Sequence, residues 1–165
     1  MVEKIIVREF METDRKTIMN MMVEFGMYLK KIDPLGRIDY PEGGDTFFTD
    51  KLIKNVQNHK GKIFVAEDQG VIVGFIGGFV GAMDDEESKI TKNKKTGIVD
   101  EFFVTQKYRG KRIGKRLMQE MEKYLKTIGC DMVRIEVFAP NTNALQFYEK
   151  QGYIKRTIYV NKRLM

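Results

Sequence analysis

Apolar and polar positions change their period along this chain, and each change marks an element. Lys4–Phe10 (KIIVREF) alternates with the two-residue period of a strand. Ile18, Met22, Phe25 and Leu29 then recur at helical spacing, with Thr13 placed to cap that helix. The stretch IDPLGRIDYPEGG holds two prolines and three glycines and reads as a long loop. A second amphipathic helix is expected from about Asp45 to Gln57. KIFVAED and VIVGFIGGFV are strands, joined as a hairpin at Gln69-Gly70. The acidic, then basic MDDEESKITKNKK is a solvated turn before another strand, GIVDEFFV.

Ile113, Leu117, Met121, Leu125 and Ile128 form the apolar stripe of a helix that Gly129 ends. Met132–Ala139 reads as a strand, Asn141–Lys150 as a short helix closed by Gly152, and Tyr153–Leu164 as a last strand. The order β-α-α-β-β-β-α-β-α-β implies an α/β (α+β mixed) fold. Its sheet is mixed, mostly antiparallel, with helices on both faces. No repeat, linker or low-complexity tract interrupts the 165 residues, so one domain over 1–165 is expected.

Composition changes this picture in two places. Hydrophobic residues at 42% and charged residues at 32% are ordinary for a soluble globular chain, and no apolar run approaches the roughly 20 residues a bilayer requires. The first residues lack the basic start and long apolar block of a secretory signal. One cysteine excludes an internal disulfide framework, and one histidine with one cysteine argues against structural zinc. His59 in NHKG and Cys130 in GCD read as structural, and a reducing cytoplasm fits. Net charge is +6 but uneven: residues 1–100 hold 15 Lys and Arg against 17 Asp and Glu, whereas residues 101–165 hold 14 against 6. The C-terminal part therefore faces something anionic, either nucleic acid or a polyphosphorylated small molecule.

The charge concentrates where a strand gives way to a helix. In FFVTQKYRGKRIGKRLM, six of the ten residues from Lys107 to Arg116 are basic, with Gly110 and Gly114 among them. A helix N-terminus presents unpaired N–H groups and partial positive charge, and glycine lets a ligand approach the backbone. KYRGKRIG thus has the parts of a pyrophosphate cradle, though a basic first turn of a solvated helix is the plainer alternative. GxxxxGK[ST] and GxGxxG are both absent. A nucleic-acid surface would interleave aromatics with basic residues on an exposed face, so nucleic acid is disfavoured.

Val104 to Gly114 resembles the acyl-CoA loop of the GNAT superfamily of N-acetyltransferases, whose pattern is (Gln/Arg)-x-x-Gly-x-(Gly/Ala). Arg109, Ile113 and Gly114 match, while Arg112 stands at the middle glycine. NTNALQFYEKQGY, Asn141 to Tyr153, is similar to the family's N-x-x-A-x-x-F-Y-x-K-x-G-(F/Y) segment at every specified position, and DEFFV resembles its fourth strand. If position 112 already lies in the helix, its φ is negative and an arginine there stays helical with its side chain turned outward.

The resemblance implies acetyl-CoA as cosubstrate, no metal, and a cleft where the fourth and fifth strands splay. Backbone groups of Phe102, Phe103 and Val104 would pair with the pantetheine. The run Arg109, Gly110, Lys111, Arg112, Ile113 and Gly114 would hold the pyrophosphate, and Asn141 would help fix the pantetheine unless it is a plain N-cap. Tyr148 is the implied general acid, against a core reading from its helical spacing with Ala144 and Phe147. Asp100 or Glu101 is the implied base, with Asp100 ranked slightly ahead. A strict alternation of faces lets only one of them line the cleft. Structural salt bridges are the alternative for both. Asp33, Asp39, Glu42 and Asp45, with Asp84, Asp85, Glu86 and Glu87, suggest an acidic mouth for a small cationic amine, though such loops are commonly just solvated. Tyr28, Tyr40, Phe47 and Phe48 are candidate walls or core. A protein acetyltransferase and a non-catalytic binding module are the competing readings, and a homodimer is left open.

Overall fold

The computed structural model describes residues 5–40, 43–81 and 95–164. Strands β1 (Ile5–Glu9), β2 (Lys62–Asp68), β3 (Val71–Val80), β4 (Thr96–Val104) and β5 (Met132–Ile135) form one sheet in that spatial order. The first three pairings are antiparallel and β4–β5 is parallel. Helices α1 (Arg15–Ile32) and α2 (Gly44–Asn58) lie between β1 and β2, α3 (Ile113–Thr127) between β4 and β5, and α4 (Thr142–Lys150) follows β5. The parallel pair needs a crossover, which α3 supplies. Glu42 and the expected solvated turn, with Asp84 to Glu87, fall at least partly outside the described residues.

The sheet carries an apolar core on each face. Ile18, Met21, Met22, Leu52, Phe75 and Phe103 form one, under α1 and α2. Val73, Ile76, Val99, Leu117, Met121 and Tyr148 belong to the other, under α3 and α4. The adjacent glycines of β3 let both helix layers come close: a Cβ on Gly77 would meet Leu52 Cδ1 at 2.5 Å, and one on Gly78 would meet Met121 Sδ at 2.9 Å. Gln69 and Gly70 both have positive φ, 49° and 82°, as the expected two-residue hairpin turn demands.

Three expectations are corrected. Thr13 does not cap α1; it lies in a 3₁₀ turn, Glu12–Asp14, and Asp14 stands at the N-cap. The Asp14 carboxylate, 5% exposed, accepts the Met11 N–H at 2.8 Å and two Arg8 N–H groups at 2.7 and 3.0 Å. Two charge-assisted bonds from Arg8 on the preceding strand outweigh a local cap. The fifth strand stops at Ile135 instead of reaching Ala139; 136–138 are irregular and lead into a turn closed by the Asn141 N–H on the Phe138 carbonyl at 2.7 Å. No strand forms over Tyr153–Leu164: among the described residues the segment is irregular and pairs with no strand of the sheet.

The Arg8 bonds and the Met11 N–H hold the Asp14 carboxyl below the usual carboxylate range, against an opposing effect of burial. Its stabilisation is therefore present at neutral pH and is lost as pH falls through the folded-state value. Asp14→Asn is expected to cost about 1–3 kcal/mol at pH 7, since it strands a partly buried arginine. Urea melts should show that difference shrinking towards pH 2.

Candidate active site

The site is built where β4 outlasts its neighbour. Pairing with β5 runs from Thr96↔Met132 to Val99↔Ile135, and β4 then continues to Val104 without β5 beside it. On the β3 side the register passes from Gly78↔Val99 to Gly77↔Glu101, so Asp100 is the extra residue of a β-bulge. The bulge overturns the expected alternation. The Asn55 amide on α2 donates to Asp100 at 3.3 Å, and Lys51, one turn earlier on the same helix, acts on Glu101. Both carboxylates therefore reach the α2 side.

Beyond the bulge, alternation resumes. Phe103 is buried on the α1–α2 face, 5.9 Å from Phe25. Phe102 turns to the other face, with ring centroids 5.7 Å from Phe147 and 6.3 Å from Tyr148. The Thr105 N–H bonds back to Val73 on β3 at 3.0 Å, so Val104 and Phe102 turn their main-chain groups to the edge β5 has left. On that edge the Arg109 Nε–H donates to the Val104 carbonyl at 2.9 Å, with its guanidinium 5.5 Å from the Phe103 ring centre.

A 3₁₀ turn, Gln106–Tyr108, leads to the basic loop. Lys111 lies over the Tyr108 ring at 4.9 Å, and the Tyr108 hydroxyl donates to Asp68 at 3.0 Å. Gly110 has φ 79° and Arg112, at the N-cap of α3, has φ 63°. The expected helical φ at Arg112 is thus wrong. The chain must turn left-handed to enter α3, and an arginine does so where glycine is at ease. Among the described residues no side chain caps α3, and its first internal bond is Arg116 N–H to Arg112 carbonyl at 3.1 Å. The N–H groups of Ile113, Gly114 and Lys115 thus precede the helical ladder. Gly114 serves packing as well: a Cβ there would sit 3.1 Å from Phe102 Cζ.

Asn141 caps α4, its side-chain oxygen accepting the Ala144 N–H at 3.3 Å. The same oxygen accepts the Tyr28 hydroxyl of α1 at 3.3 Å, which ties α1 to α4 across the opened edge. Tyr148 is 9% exposed, its ring 5.4 Å from Phe147 and 5.7 Å from Tyr153. Burial pushes its phenol well above the ordinary tyrosine range, so it stays protonated. Burial, then the Asp100 charge, raises Glu101 to about 7, with Lys51 opposing. A hollow of about 410 Å³ beside the edge is lined by Glu24, Tyr28, Phe103 and Arg109 among others.

The sequence reading missed Asn55 and Lys51, which lie on an ordinary amphipathic helix and gain meaning only from the bulge opposite. It also left Tyr40 between wall and core. The Tyr40 ring lies on Gly26, where a Cβ would meet it at 2.1 Å, and its hydroxyl is buried without a hydrogen-bond partner among the described residues. The acidic mouth is thinner than expected: Asp33 accepts the N–H groups of Leu35, Arg37 and Ile38, and Asp39 pairs with Lys30 at 2.7 Å.

The acetyltransferase (GNAT) family model matches residues 29–153, and the chain belongs to that family. It is an acyl-CoA-dependent N-acetyltransferase by that membership and by its relatives. An uncharacterized N-acetyltransferase of Archaeoglobus fulgidus is 33% identical over 56% of this chain and 59% of its own length. An N-alpha-acetyltransferase of Sulfurisphaera tokodaii is 27% identical over 74% of this chain and 72% of its own length. A spermine/spermidine N(1)-acetyltransferase of Bacillus subtilis is 27% identical over 52% and 54%. In fold, the chain is similar to an aminoglycoside N-acetyltransferase solved with CoA, at TM-score 0.70 and 16% identity over 99% of this chain and 98% of that one. No helix of the described residues is long and apolar enough to cross a membrane.

Replacing Arg112 by glycine removes a left-handed arginine, worth about 1–2 kcal/mol, against a glycine entropy cost of about 0.5–1 kcal/mol. Arg112→Gly is therefore expected to raise Tm slightly in calorimetry. A fall in Tm would show that the arginine side chain makes a compensating contact.

Proposed function

We propose that this chain transfers the acetyl group of acetyl-CoA to the primary amine of a small cation, by direct attack in a ternary complex. The observation that carries the reading is a carboxyl raised to about 7, Glu101, placed where β4 parts from β5. The residues present suit the cosubstrate. The unpaired edge at Phe102–Val104 offers main-chain groups to a pantetheine amide, as an added strand would. The run Arg109–Gly114 offers N–H groups and positive charge to a pyrophosphate, and Asn141 offers an amide at the end of α4.

Acetyl-CoA supplies the thioester. An amine arrives mostly as ammonium and must lose a proton before it can attack. Glu101, titrating near neutrality, accepts that proton, directly or through one water. Asp100 keeps the neighbouring charge that raises Glu101 and attracts a cation. Tyr148, on the other side of the same strand edge, donates its phenolic proton to the leaving sulfur. Desolvation holds it protonated until then. The raised value at Glu101 is what supports it over Asp100 as base.

The spermine/spermidine relative and the paired carboxylates favour a small polyamine-like acceptor. The N-alpha-acetyltransferase relative, matched over more of the chain, favours the second reading, a protein N-terminus. Thiol release measured with a panel of diamines and polyamines against peptides of varied N-terminus separates them, since the first reading requires turnover of the amines in preference.

With the best acceptor in hand, kcat/KM is expected to fall on the acid side with an apparent pKa near 7, and Glu101→Gln should abolish that limb while lowering the rate at pH 7 by about 10²-fold or more. Asp100→Asn should instead move the limb to lower pH, because it removes a like charge. A Glu101→Gln profile identical to the wild type would discard this base.

The raised value also makes folding weaker as pH climbs from the usual glutamate range through about 7, because the folded state holds this proton more tightly than the unfolded chain. Glu101→Gln should therefore melt higher than wild type at pH 8 and close to it at pH 4. For the acid, Tyr148→Phe is expected to lower kcat by about 10²–10⁴-fold with little change in KM for acetyl-CoA. Steady-state kinetics decides this, and an unchanged kcat returns Tyr148 to core packing alone.

A further inference from the structure

The bulge in β4 leaves two carboxylates on one side of the strand with no cation paired to either. Among the described residues neither Asp100 nor Glu101 forms a salt bridge. The one hydrogen bond to the Asp100 side chain there comes from the Asn55 amide at 3.3 Å. Asn55, Asp100 and Glu101 are all half-buried. No counter-ion anchors Asp100 beside Glu101, so the amide is its anchor on this side.

Asn55 is itself well fixed. Leu52, three residues earlier and so on the same side of α2, sits on Gly77 of β3, where a Cβ would meet its Cδ1 at 2.5 Å. One turn after Asn55, the His59 carbonyl accepts the Val80 N–H of β3 at 2.9 Å. The helix is thus pinned to β3 on both sides of Asn55, and Gly77 is the register partner of Glu101. The opposite face of β4 is the apolar core of Val99, Met121 and Leu125. An amide suits the place because it donates without carrying charge. A lysine or arginine there would pair with Asp100 and cancel the field that Glu101 feels.

We propose that Asn55 is a positioning residue: its amide holds the Asp100 carboxylate on the α2 side, beside Glu101, and leaves the Asp100 charge uncancelled. Among the described residues, the charged and titratable groups around Glu101 are Asp100 on its own strand, Lys51 on α2 and the Tyr40 hydroxyl from the α1–α2 connection. Burial and then Asp100 raise Glu101, and Lys51 opposes them. Once the donor is lost, Asp100 is free to turn into water, where its charge is screened and its hold on Glu101 weakens. The consequence for catalysis rests on Glu101 acting as the base; the placing of Asp100 does not.

The test reads the Glu101 carboxyl in the free protein, by carbon-13 NMR titration of the whole labelled chain from about pH 4 to 9. The wild-type midpoint is expected at about 7. Asn55→Ala puts a strong helix former into α2, so the fold is expected to hold, and the midpoint should drop by roughly 0.5–1 pH unit. In an Asp100→Asn background the midpoint starts lower, and adding Asn55→Ala should leave it where it is. A midpoint unmoved by Asn55→Ala, or an equal drop in both backgrounds, would overturn the positioning role. With an acceptor in hand, the acid limb of kcat/KM should follow the carboxyl in Asn55→Ala, with KM for acetyl-CoA unchanged. A limb that stays in place while the carboxyl midpoint moves would remove Glu101 as the base and leave the role of Asn55 standing.

Discussion

Strand β4 keeps two neighbours for half of its length and one for the rest, and the site depends on that. Its parallel pairing ends at Val99, and the bulge at Asp100 falls at once after it. A parallel strand cannot be left by a tight turn, so the chain must return through a helix, and α3 begins just beyond the unpaired end. One topological requirement therefore places a free strand edge, a helix N-terminus and a basic loop within a few residues of one another.

The bulge sets the electrostatics. Without it, Asp100 and Glu101 would take opposite faces and one carboxylate would be spent in the α3–α4 core. With it, both reach the α2 side, where burial and then the Asp100 charge raise Glu101. Desolvation is the chief cause that raises both Glu101 and Tyr148, with the Asp100 charge adding to it at Glu101 alone. Of the two, Glu101 titrates near neutral pH, the range a general base needs. The cost falls on the fold, as does that of the left-handed Arg112.

Legibility followed the range of the cause. Gln69-Gly70 was readable because a two-residue hairpin needs local positive φ, and the α3 stripe because helix burial is periodic. The conjunction of RGKRIG with NTNALQFYEKQGY was readable as a resemblance because both motifs are contiguous. The strand expected over Tyr153–Leu164 had a strand's alternation but pairs with no strand among the described residues. Thr13 looked like a cap because its rival, Arg8 drawing Asp14 into place, spans two elements. Arg112 was misjudged because its φ is imposed by how the loop enters α3.

By itself, then, the sequence determined the strand and helix periods, the hairpin, the basic turn and the family resemblance, all of which rest on residues close together in the chain. Tertiary structure alone decided where β5 leaves β4, that Asp100 bulges, that Asn55 and Lys51 stand over two carboxylates, and that Tyr28 reaches Asn141. These are contacts between elements brought together by packing, and no local period encodes which side chains will meet.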